Sequence, residues 1–211
     1  MGEINYEIIV VNDFSDDDTY NIIINQKGID SRIKLFNNTK RGLGGAINLG
    51  IEKSTGEAIC IMMADSSDDI SDLKKYYELI QSENIDAVFG SRFIEGSKVS
   101  RYPIKKLILN RIFNYVTKFI FFSDYNDFTN AFKIYKKSAL IKLMPLVSES
   151  FNIFLEIPLK IISRKMNYKI VPISWNNRKQ GKAKFIIKEL RSKYLFTLIY
   201  CYLEKILLRK K

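Results

Sequence analysis

The chain has 211 residues, of which 46% are hydrophobic, and this is enough for one α/β domain with a buried core but short for two. The composition lacks the low-complexity tracts of disordered proteins, so a globular fold is expected. The sequence contains no histidine, which excludes histidine-based acid–base and nucleophilic catalysis. It also lacks a P-loop and any Cys/His ligand spacing, which argues against nucleoside triphosphatases and zinc sites.

The formal charge of +11 is concentrated near the end of the sequence. From Arg178 onward, eleven Lys and Arg residues stand against two Glu residues, a net of +9. Such a block indicates an anionic partner such as a phosphate or an anionic membrane surface, and a solvated charged tail is the alternative. Aromatic and basic residues do not interleave as in a nucleic-acid-binding module, so no nucleic-acid partner is expected.

Cysteine usage and the apolar runs bear on the cellular location. Cys60 and Cys201 lie in separate apolar runs and indicate buried thiols in a reducing compartment. No signal peptide precedes the first strand-like run, so a cytoplasmic protein is expected. The uncharged run 194–203 is about half of what a membrane span needs. We therefore expect peripheral attachment at the inner face of the cell membrane.

Apolar runs and polar turns alternate in the first part of the chain with the rhythm of βαβ units. The run 58–63 is continuous and apolar, which is typical of a parallel strand buried on both faces. Polar residues cluster after the strand ends, which predicts an α/β fold with an open, mostly parallel sheet and a site along its carboxyl edge. Strands are predicted at 8–11, 33–36, 58–63 and 86–89, and helices at 19–26, 42–50 and 70–81.

Longer apolar stretches follow Pro103. The stretch 104–122 predicts a helix that is either a core helix or an interfacial one, because it is apolar but carries four cations. We expect a first domain over 1–185 and a basic amphipathic helix at a membrane surface over 186–211, with an ordinary packed helix as the alternative. The remaining elements are an extended piece at 132–135, a helix at 154–165, a strand at 169–173, a loop at 176–184 and a helix from about 187.

Two acidic turns and one basic loop are the segments that could carry chemistry. The turns at 12–18 and 65–69 both follow predicted strands, where carboxylates can hold a divalent cation that bridges phosphate oxygens. The alternative is that these residues only cap the next helix. The loop 178–184 has four cations around Gly181 and suits a phosphate.

In this order the segments resemble the family 2 glycosyltransferases of the dolichol- and polyprenol-phosphate sugar synthase type. The resemblance implies a GT-A-like fold, an α/β open sheet flanked by helices. The similar segments are YEIIVVNDFSDDDT at 6–19, GLGGA at 42–46, MMADSSDD at 62–69, GSRF at 90–93, DFTNAFKIYKKSAL at 127–140, EIPLKI at 156–161 and VPISWNNRKQGKAKF at 171–185.

The sequence departs from the family pattern at several positions. Asn12 stands where the family has the first Asp of its nucleotide turn, and Met63 where it has the first Asp of its metal motif. The first strand of the family, with its Pro-x-Tyr-Asn-Glu motif, has no counterpart in these 211 residues. Because that strand is central in the family fold, its absence would leave bare sheet edges. We expect either an N-terminally truncated product or an edge that is covered by a partner or a second copy of the chain. Asn130, Ala131, Lys133 and Ala183 also replace family residues.

The resemblance implies inverting transfer of a sugar from a GDP- or UDP-sugar to a polyprenyl phosphate, with Mg²⁺ or Mn²⁺ held at Asp65. Asp65, Arg92 and Arg178 would be the catalytic residues. Two alternatives stay open, a glycan acceptor in cell-surface polysaccharide synthesis and a noncatalytic remnant that binds nucleotide sugar. The implied nucleotide-sugar site is Asn12, Asp13, Ser15, Asp17, Gly42, Ala64 and Asp65. The implied phosphate and acceptor site is Arg92, Thr129, Lys133, Glu156, Arg178 and Lys184.

Overall fold

The computed structural model describes residues 4–81, 84–177 and 187–209. Strands and helices alternate over its first half, as the βαβ rhythm predicted. The strands are β1 (Ile8–Asn12), β2 (Ile33–Asn37), β3 (Ala58–Ile61), β4 (Ala87–Ser91), β5 (Lys98–Ser100), β6 (Lys133–Lys136), β7 (Tyr168–Pro172) and β8 (Ser174–Asn176). The helices are α1 (Thr19–Ile29), α2 (Leu43–Lys53), α3 (Ile70–Ile80), α4 (Ile104–Phe121), α5 (Lys137–Leu143), α6 (Ile153–Ser163) and α7 (Ile187–Arg209).

The strands form three sheets. A four-stranded sheet has the order β3-β6-β4-β7, and two-stranded parallel sheets are formed by β1 with β2 and by β5 with β8. Strand β6 runs antiparallel to both of its neighbours, whereas β4 and β7 are parallel. The predicted α/β class with mostly parallel pairing is confirmed, and β6 is the antiparallel exception.

The four-stranded sheet separates two apolar clusters. Successive side chains of a strand point to opposite faces, so Phe89 of β4 joins the larger cluster and Val88 joins the smaller one. The larger cluster is closed by α2, α5 and α6 with Cys201 of α7, and the smaller one by Tyr76 and Ile80 of α3. All five residues of β4 are buried, which is the pattern expected of a strand covered on both faces.

The β1–β2 sheet is covered less completely. Every residue of α1 keeps part of its surface exposed, and no residue of β1 or β2 within the described structure is fully buried. The carboxylate of Glu7, just before β1, accepts hydrogen bonds from the backbone N–H groups of Thr55 and Gly56, at 2.6 and 3.2 Å. The starts of β1 and β3 therefore lie close together.

Helices α4 and α7 lie beside each other and expose apolar side chains. The inner face of α7 is packed, since Thr197, Cys201 and Lys205 are buried. Lys205 donates to the carbonyl of Phe121 at the end of α4. The outer faces carry many exposed apolar residues, and Phe119 and Phe122 are 76% and 80% exposed. Of the helices described, none is both long enough and apolar enough to span a bilayer.

Candidate functional site

The acidic turn after β1 is joined to the glycine-rich start of α2. One oxygen of Asp13, Oδ1, accepts hydrogen bonds from Nδ2 of Asn38 at 2.7 Å and from the backbone N–H of Gly42 at 2.9 Å. Asn38 follows β2 and is itself buried, and its Nδ2 also donates to the carbonyl of Lys40. Asp13 thus connects the ends of β1 and β2 with the first turn of α2, at the carboxyl edge where the site was predicted.

Gly42 holds a backbone conformation that other residues adopt with strain. Its φ is +117°, and a Cβ placed there would lie 2.7 Å from the carbonyl oxygen of Glu149. The close approach brings the 148–149 loop against α2, where the N–H of Gly44 donates to the same carbonyl at 3.0 Å. A larger residue at 42 would push this loop away from the turn.

The other residues predicted at the nucleotide turn lie nearby and are more exposed. Asn12 donates through Nδ2 to Asn37 Oδ1, and its own Oδ1 accepts from the N–H of Ser15. The side chain of Asp17 accepts from the N–H of Thr19 at 3.1 Å, at the start of α1. Asp17 thus binds the first N–H of α1, whereas Asp18, the N-cap residue of this helix, makes no side-chain capping hydrogen bond.

Asp65 lies in the turn that follows β3. Its Oδ1 accepts from the N–H of Ser67 at 3.1 Å and from the Ser67 hydroxyl at 2.6 Å, which fixes the carboxylate in the turn. Ala64 beside it is exposed, and Asp65 itself is half-buried. The side chain of Asp69 caps α3 by accepting from the N–H of Ser71 at 2.9 Å.

Asp68 belongs to the acidic turn 65–69 that was predicted to hold a cation, but it was not named among the predicted site residues. Its Oδ2 is buried and, within the described structure, has no hydrogen-bond partner. Burial and the neighbouring charge of Asp65 raise the pKa of Asp68 to about 6, although Arg92 and Lys133 act in the opposite direction. Acidic spacing alone could not have separated Asp68 from Asp69, because the distinction depends on which side chain faces inward.

The Asp65–Asp69 turn is joined to the strand that leads into the basic loop. The N–H of Asn176 donates to the carbonyl of Ser67 at 2.9 Å, and Asp68 forms a β-bridge with Trp175. Arg178 and Lys184 lie outside the described residues.

Arg92 is held in a buried ion pair with Asp127. Asp127 was not among the predicted site residues. Nε and Nη2 of Arg92 donate to the two carboxylate oxygens at 2.8 and 2.7 Å, and the Arg92 N–H donates to Oδ2 at 3.0 Å. The guanidinium also lies 5.4 Å from the ring centroids of Tyr102 and Trp175. Burial alone would lower the pKa of Arg92, but the carboxylate of Asp127 raises it by more. Arg92 therefore stays charged.

Two residues predicted on the acceptor side are tied into the protein. Lys133 is fully buried, and its ammonium donates to the carbonyls of Phe128 and Asn130. Burial lowers the pKa of Lys133 to about 7. Thr129 accepts through Oγ1 from Nδ2 of Asn110 on α4 at 2.6 Å. Both side chains shape the 127–131 loop that carries Asp127.

Glu156 is also enclosed, with none of its surface exposed. Its carboxylate accepts from the N–H groups of Val147 and Ser148, at 2.9 and 2.7 Å, and pairs with Lys160 at 3.0 Å. These contacts hold the loop that reaches Gly42. The arrangement connects Glu156 with the nucleotide turn through the backbone, because its own carboxylate faces the protein interior.

The carboxylates after β3 suit a hard divalent cation. Within the described ranges, no group of three or more acidic or cysteine side chains is arranged to enclose a metal ion. Magnesium is often held by only one or two carboxylates, with phosphate oxygens and water in the remaining positions. Asp65 and Asp68 fit that kind of half-open site, because the buried Oδ2 of Asp68 has no hydrogen-bond partner among the described residues.

Comparison with known proteins identifies the family. The family model described as "Glycosyl transferase family 2" matches residues 2–144. The chain belongs to glycosyltransferase family 2. The resemblance read from the order of the motifs is thereby confirmed.

Curated relatives of this family 2 chain are distant. It is 32% identical over 191 residues to the dolichyl-phosphate β-glucosyltransferase ALG5C of Trichomonas vaginalis, covering 86% of this chain and 56% of that protein. It is 27% identical over 188 residues to the dolichol-phosphate mannosyltransferase of Pyrococcus furiosus, covering 86% and 51%. Glycosyltransferase AglD of Haloferax volcanii is 24% identical over 184 residues, with coverage of 86% and 29%. The chain spans about half the length, or less, of these relatives.

Solved structures show the GT-A fold. Glucosyl-3-phosphoglycerate synthase from Mycobacterium tuberculosis in complex with UDP matches with a TM-score of 0.66 at 12% identity, over 92% of this chain and 68% of that one. The same synthase in complex with Mn²⁺, UDP and phosphoglyceric acid matches with a TM-score of 0.63 at 13% identity, over 93% and 67%. The predicted fold class is therefore confirmed, and at this identity the likeness concerns the fold alone.

Proposed function

We propose that this family 2 chain transfers a sugar, with inversion, from a nucleotide diphosphate sugar to a polyprenyl phosphate at a membrane surface. The observation that carries the proposal is the hydrogen bond between Asn176 and Ser67. It holds the end of β8 against the Asp65 turn, and the basic loop that follows β8 in the sequence would then bring its cations to the carboxylates of that turn. The curated relatives named for dolichyl-phosphate transfer support the lipid acceptor.

The donor would bind across the ends of β1 and β3. Asp13, held by Asn38 and Gly42, would bind the nucleotide together with Asn12, Ser15 and Asp17. Asp65 and Asp68 would hold Mg²⁺ or Mn²⁺, which when bound neutralises the charge that develops on the departing diphosphate. Arg178 and Lys184 would neutralise further phosphate charge, because Arg and Lys bind phosphate oxygens strongly.

Arg92 would act as a positioning residue in this scheme. Its bidentate pair with Asp127 already uses two of its nitrogens, and its ring contacts fix Trp175 beside the Asp65 turn. Lys133, Thr129 and Glu156 would shape the acceptor side in the same indirect way. A phosphate acceptor is anionic near neutral pH and attacks without a general base, which agrees with a sequence that has no histidine.

The apolar faces of α4 and α7 support attachment to a membrane. Exposed residues recur on α4 at spacings of three and four, which places them on one helical face. Between the helices a groove of about 390 Å³ is lined by apolar side chains, among them Phe119, Phe122 and Leu203. Lys105 and Lys106 are exposed near the start of α4 and would face anionic head groups. Attachment would be peripheral, with both helices in the interface.

The proposal is tested by following labelled sugar. Purified protein is incubated with Mn²⁺ and radiolabelled UDP-glucose or GDP-mannose, with a short polyprenyl phosphate in detergent micelles. Radiolabel should enter the organic phase with this lipid and remain in water when the lipid is omitted. A glycan and 3-phosphoglycerate serve as alternative acceptors in parallel reactions.

Each other outcome assigns a different function. Transfer to the glycan alone would favour polysaccharide synthesis, and transfer to 3-phosphoglycerate would favour a soluble phosphate acceptor. Donor binding without release of nucleotide at any acceptor concentration would favour a noncatalytic nucleotide-sugar-binding protein. Any of these three results would reject the polyprenyl phosphate acceptor.

A further inference from the structure

A buried polar cluster joins α7 to α6 and to the loop that precedes α6. Nδ2 of Asn152 donates to the hydroxyl of Ser148 at 2.8 Å and to the hydroxyl of Thr197 on α7 at 2.9 Å. Its Oδ1 accepts from the N–H of Ser150 at 3.2 Å. Ser148, Asn152 and Thr197 are 3%, 4% and 0% exposed. The amide of Asn152 is therefore enclosed, and both its nitrogen and its oxygen are hydrogen bonded.

The surroundings of this cluster are apolar. Phe154, two residues after Asn152, and Cys201, one turn after Thr197, both belong to the larger apolar cluster. Apolar side chains could fill such an interface without the cost of burying polar groups. A polar cluster whose members are all hydrogen bonded fixes one arrangement of the elements that it joins. Here it fixes the position of the loop 148–150 relative to α7.

The same loop lies directly against the start of α2. The carbonyl of Glu149 accepts from the N–H of Gly44 at 3.0 Å. A Cβ at position 44 would overlap the carbonyl oxygen of Ser148, so a side chain there would displace the loop. In the same turn, Gly42 donates its N–H to Oδ1 of Asp13 at 2.9 Å. The backbone of the loop therefore touches the turn that holds Asp13.

These contacts connect α7 with the nucleotide turn, although the two segments are far apart in the sequence. Thr197 binds Asn152, Asn152 binds Ser148, and the backbone at 148–149 packs on the turn of Gly42. The opposite face of α7 is apolar and exposed, as Phe196 and Ile199 show. One helix thus presents its apolar side chains to the outside and Thr197 to the loop.

We propose that Asn152 and Thr197 are positioning residues for the donor nucleotide. They hold the loop 148–149 against α2, and through this loop they fix the turn of Gly42 and its hydrogen bond to Asp13. Both act at a distance, because their side chains are enclosed in the protein. The inference rests on the proposed function, since it takes Asp13 and the Gly42 turn as part of the nucleotide site. Loss of the cluster should raise the KM for the donor more than it lowers kcat.

The test compares two buried threonines with the same local contact. Thr197→Val removes the hydroxyl that Asn152 binds, and Thr117→Val on α4 is the matched control. Both hydroxyls donate to the carbonyl four residues earlier, at 2.9 and 2.8 Å, and both residues are fully buried. Binding of UDP and of GDP with Mn²⁺ is measured by titration calorimetry. Thr197→Val should bind the nucleotide at least about threefold more weakly, and Thr117→Val as tightly as the parent chain.

Two further measurements separate positioning from a general loss of stability. Thr197→Ser keeps the hydroxyl and should bind the nucleotide as tightly as the parent chain. Amide hydrogen exchange of the free protein follows the loop itself, because the N–H of Gly44 donates to Glu149. Exchange at Gly44 should be faster in Thr197→Val than in Thr117→Val. Exchange at Phe89 of β4, which is paired on both sides, should be the same in the two variants.

Each contrary outcome has its own meaning. If the parent chain binds UDP or GDP and Thr197→Val binds it equally well, the positioning role is overturned and the proposed function stands. An equal loss in Thr117→Val, or no recovery in Thr197→Ser, would also overturn this role. Equal exchange at Gly44 in the two valine variants would overturn the connection through the loop 148–149. A parent chain that binds neither nucleotide would overturn the proposed function together with this inference.

Discussion

Three carboxylates in the turn after β3 have different environments, although the sequence presents them as one acidic run. Asp69 caps α3, Asp65 is bound by Ser67, and Asp68 keeps a buried oxygen that has no hydrogen-bond partner in the described structure. The sequence predicted Asp65 through its resemblance to a metal motif. It could not predict Asp68, because the direction of a side chain in a turn depends on the strand that packs behind it, here β8.

The proposed metal site gives the first prediction. Asp65→Asn removes one negative charge from the turn, so we expect at least about tenfold weaker Mn²⁺ binding, measured by titration calorimetry of the free protein. Asp69→Asn is the matched control, because Asn caps a helix as well as Asp does. An equal loss of Mn²⁺ affinity in both variants would point to a general effect of charge. Unchanged Mn²⁺ binding in Asp65→Asn would remove Asp65 from the site.

The Arg92–Asp127 pair gives a prediction about stability. Asp127→Ala leaves a buried guanidinium without its partner, which should lower the free energy of unfolding by about 3–5 kcal/mol. Removing the carboxylate of a surface pair, in Asp30→Ala, should lower the free energy of unfolding much less. Urea unfolding of both variants measures the difference. A loss for Asp127→Ala no larger than that for Asp30→Ala would contradict the structural role of the buried pair.

At the scale of elements, the sequence predicted the long helices and the apolar strands, because their periodicity extends over several turns or pleats. It missed β5, β8 and α5. Strands of three residues, such as Lys98–Ser100 and Ser174–Asn176, are too short to show a period. Strand β8 nevertheless matters most for the site, because its Trp175 and Asn176 contact Asp68 and Ser67, which are about a hundred positions away in the sequence.

Helices α4 and α7 provide a prediction about membranes. The double variant Phe119→Ser, Phe122→Ser removes two exposed aromatic rings from the apolar face, and burial of such a ring in lipid contributes about 1.5–3 kcal/mol. Binding to vesicles that contain phosphatidylglycerol should therefore weaken at least about tenfold, as measured by sedimentation. Ile141→Ser on α5 is the control, because Ile141 is 56% exposed but lies on another helix. Equal weakening in both variants would contradict the assigned surface.

For the whole molecule, the predicted fold class was correct, but the way in which the β1–β2 sheet is connected to the four-stranded sheet could not be predicted. Family resemblance placed Glu156 and Lys133 in the acceptor site by position, whereas their complete burial follows from packing against distant loops and helices. In the same way, nothing in the local sequence around Glu7 indicates that its carboxylate bonds to Thr55 and Gly56. Contacts of this range depend on the assembled fold.

The link made by Glu7 predicts how stability changes in acid. Burial alone would raise the pKa of Glu7, but hydrogen bonds from Lys34, Thr55 and Gly56 lower it from 4.5 to about 2. The folded state therefore binds this proton less tightly than the unfolded state does. Its stabilising contribution is complete above about pH 4.5 and is lost as the pH falls towards 2.

Glu7→Gln should accordingly be less stable than the parent chain at pH 7, and the difference should shrink between about pH 4.5 and 2. Urea midpoints measured across this range test the prediction, with Glu57→Gln as the control, since Glu57 is an exposed carboxylate just before β3. A stability difference between Glu7→Gln and the parent chain that stays constant with pH would mean that the carboxylate of Glu7 does not hold the start of β1 to the start of β3. The loss of stability in the parent chain would then have to come from other acidic groups.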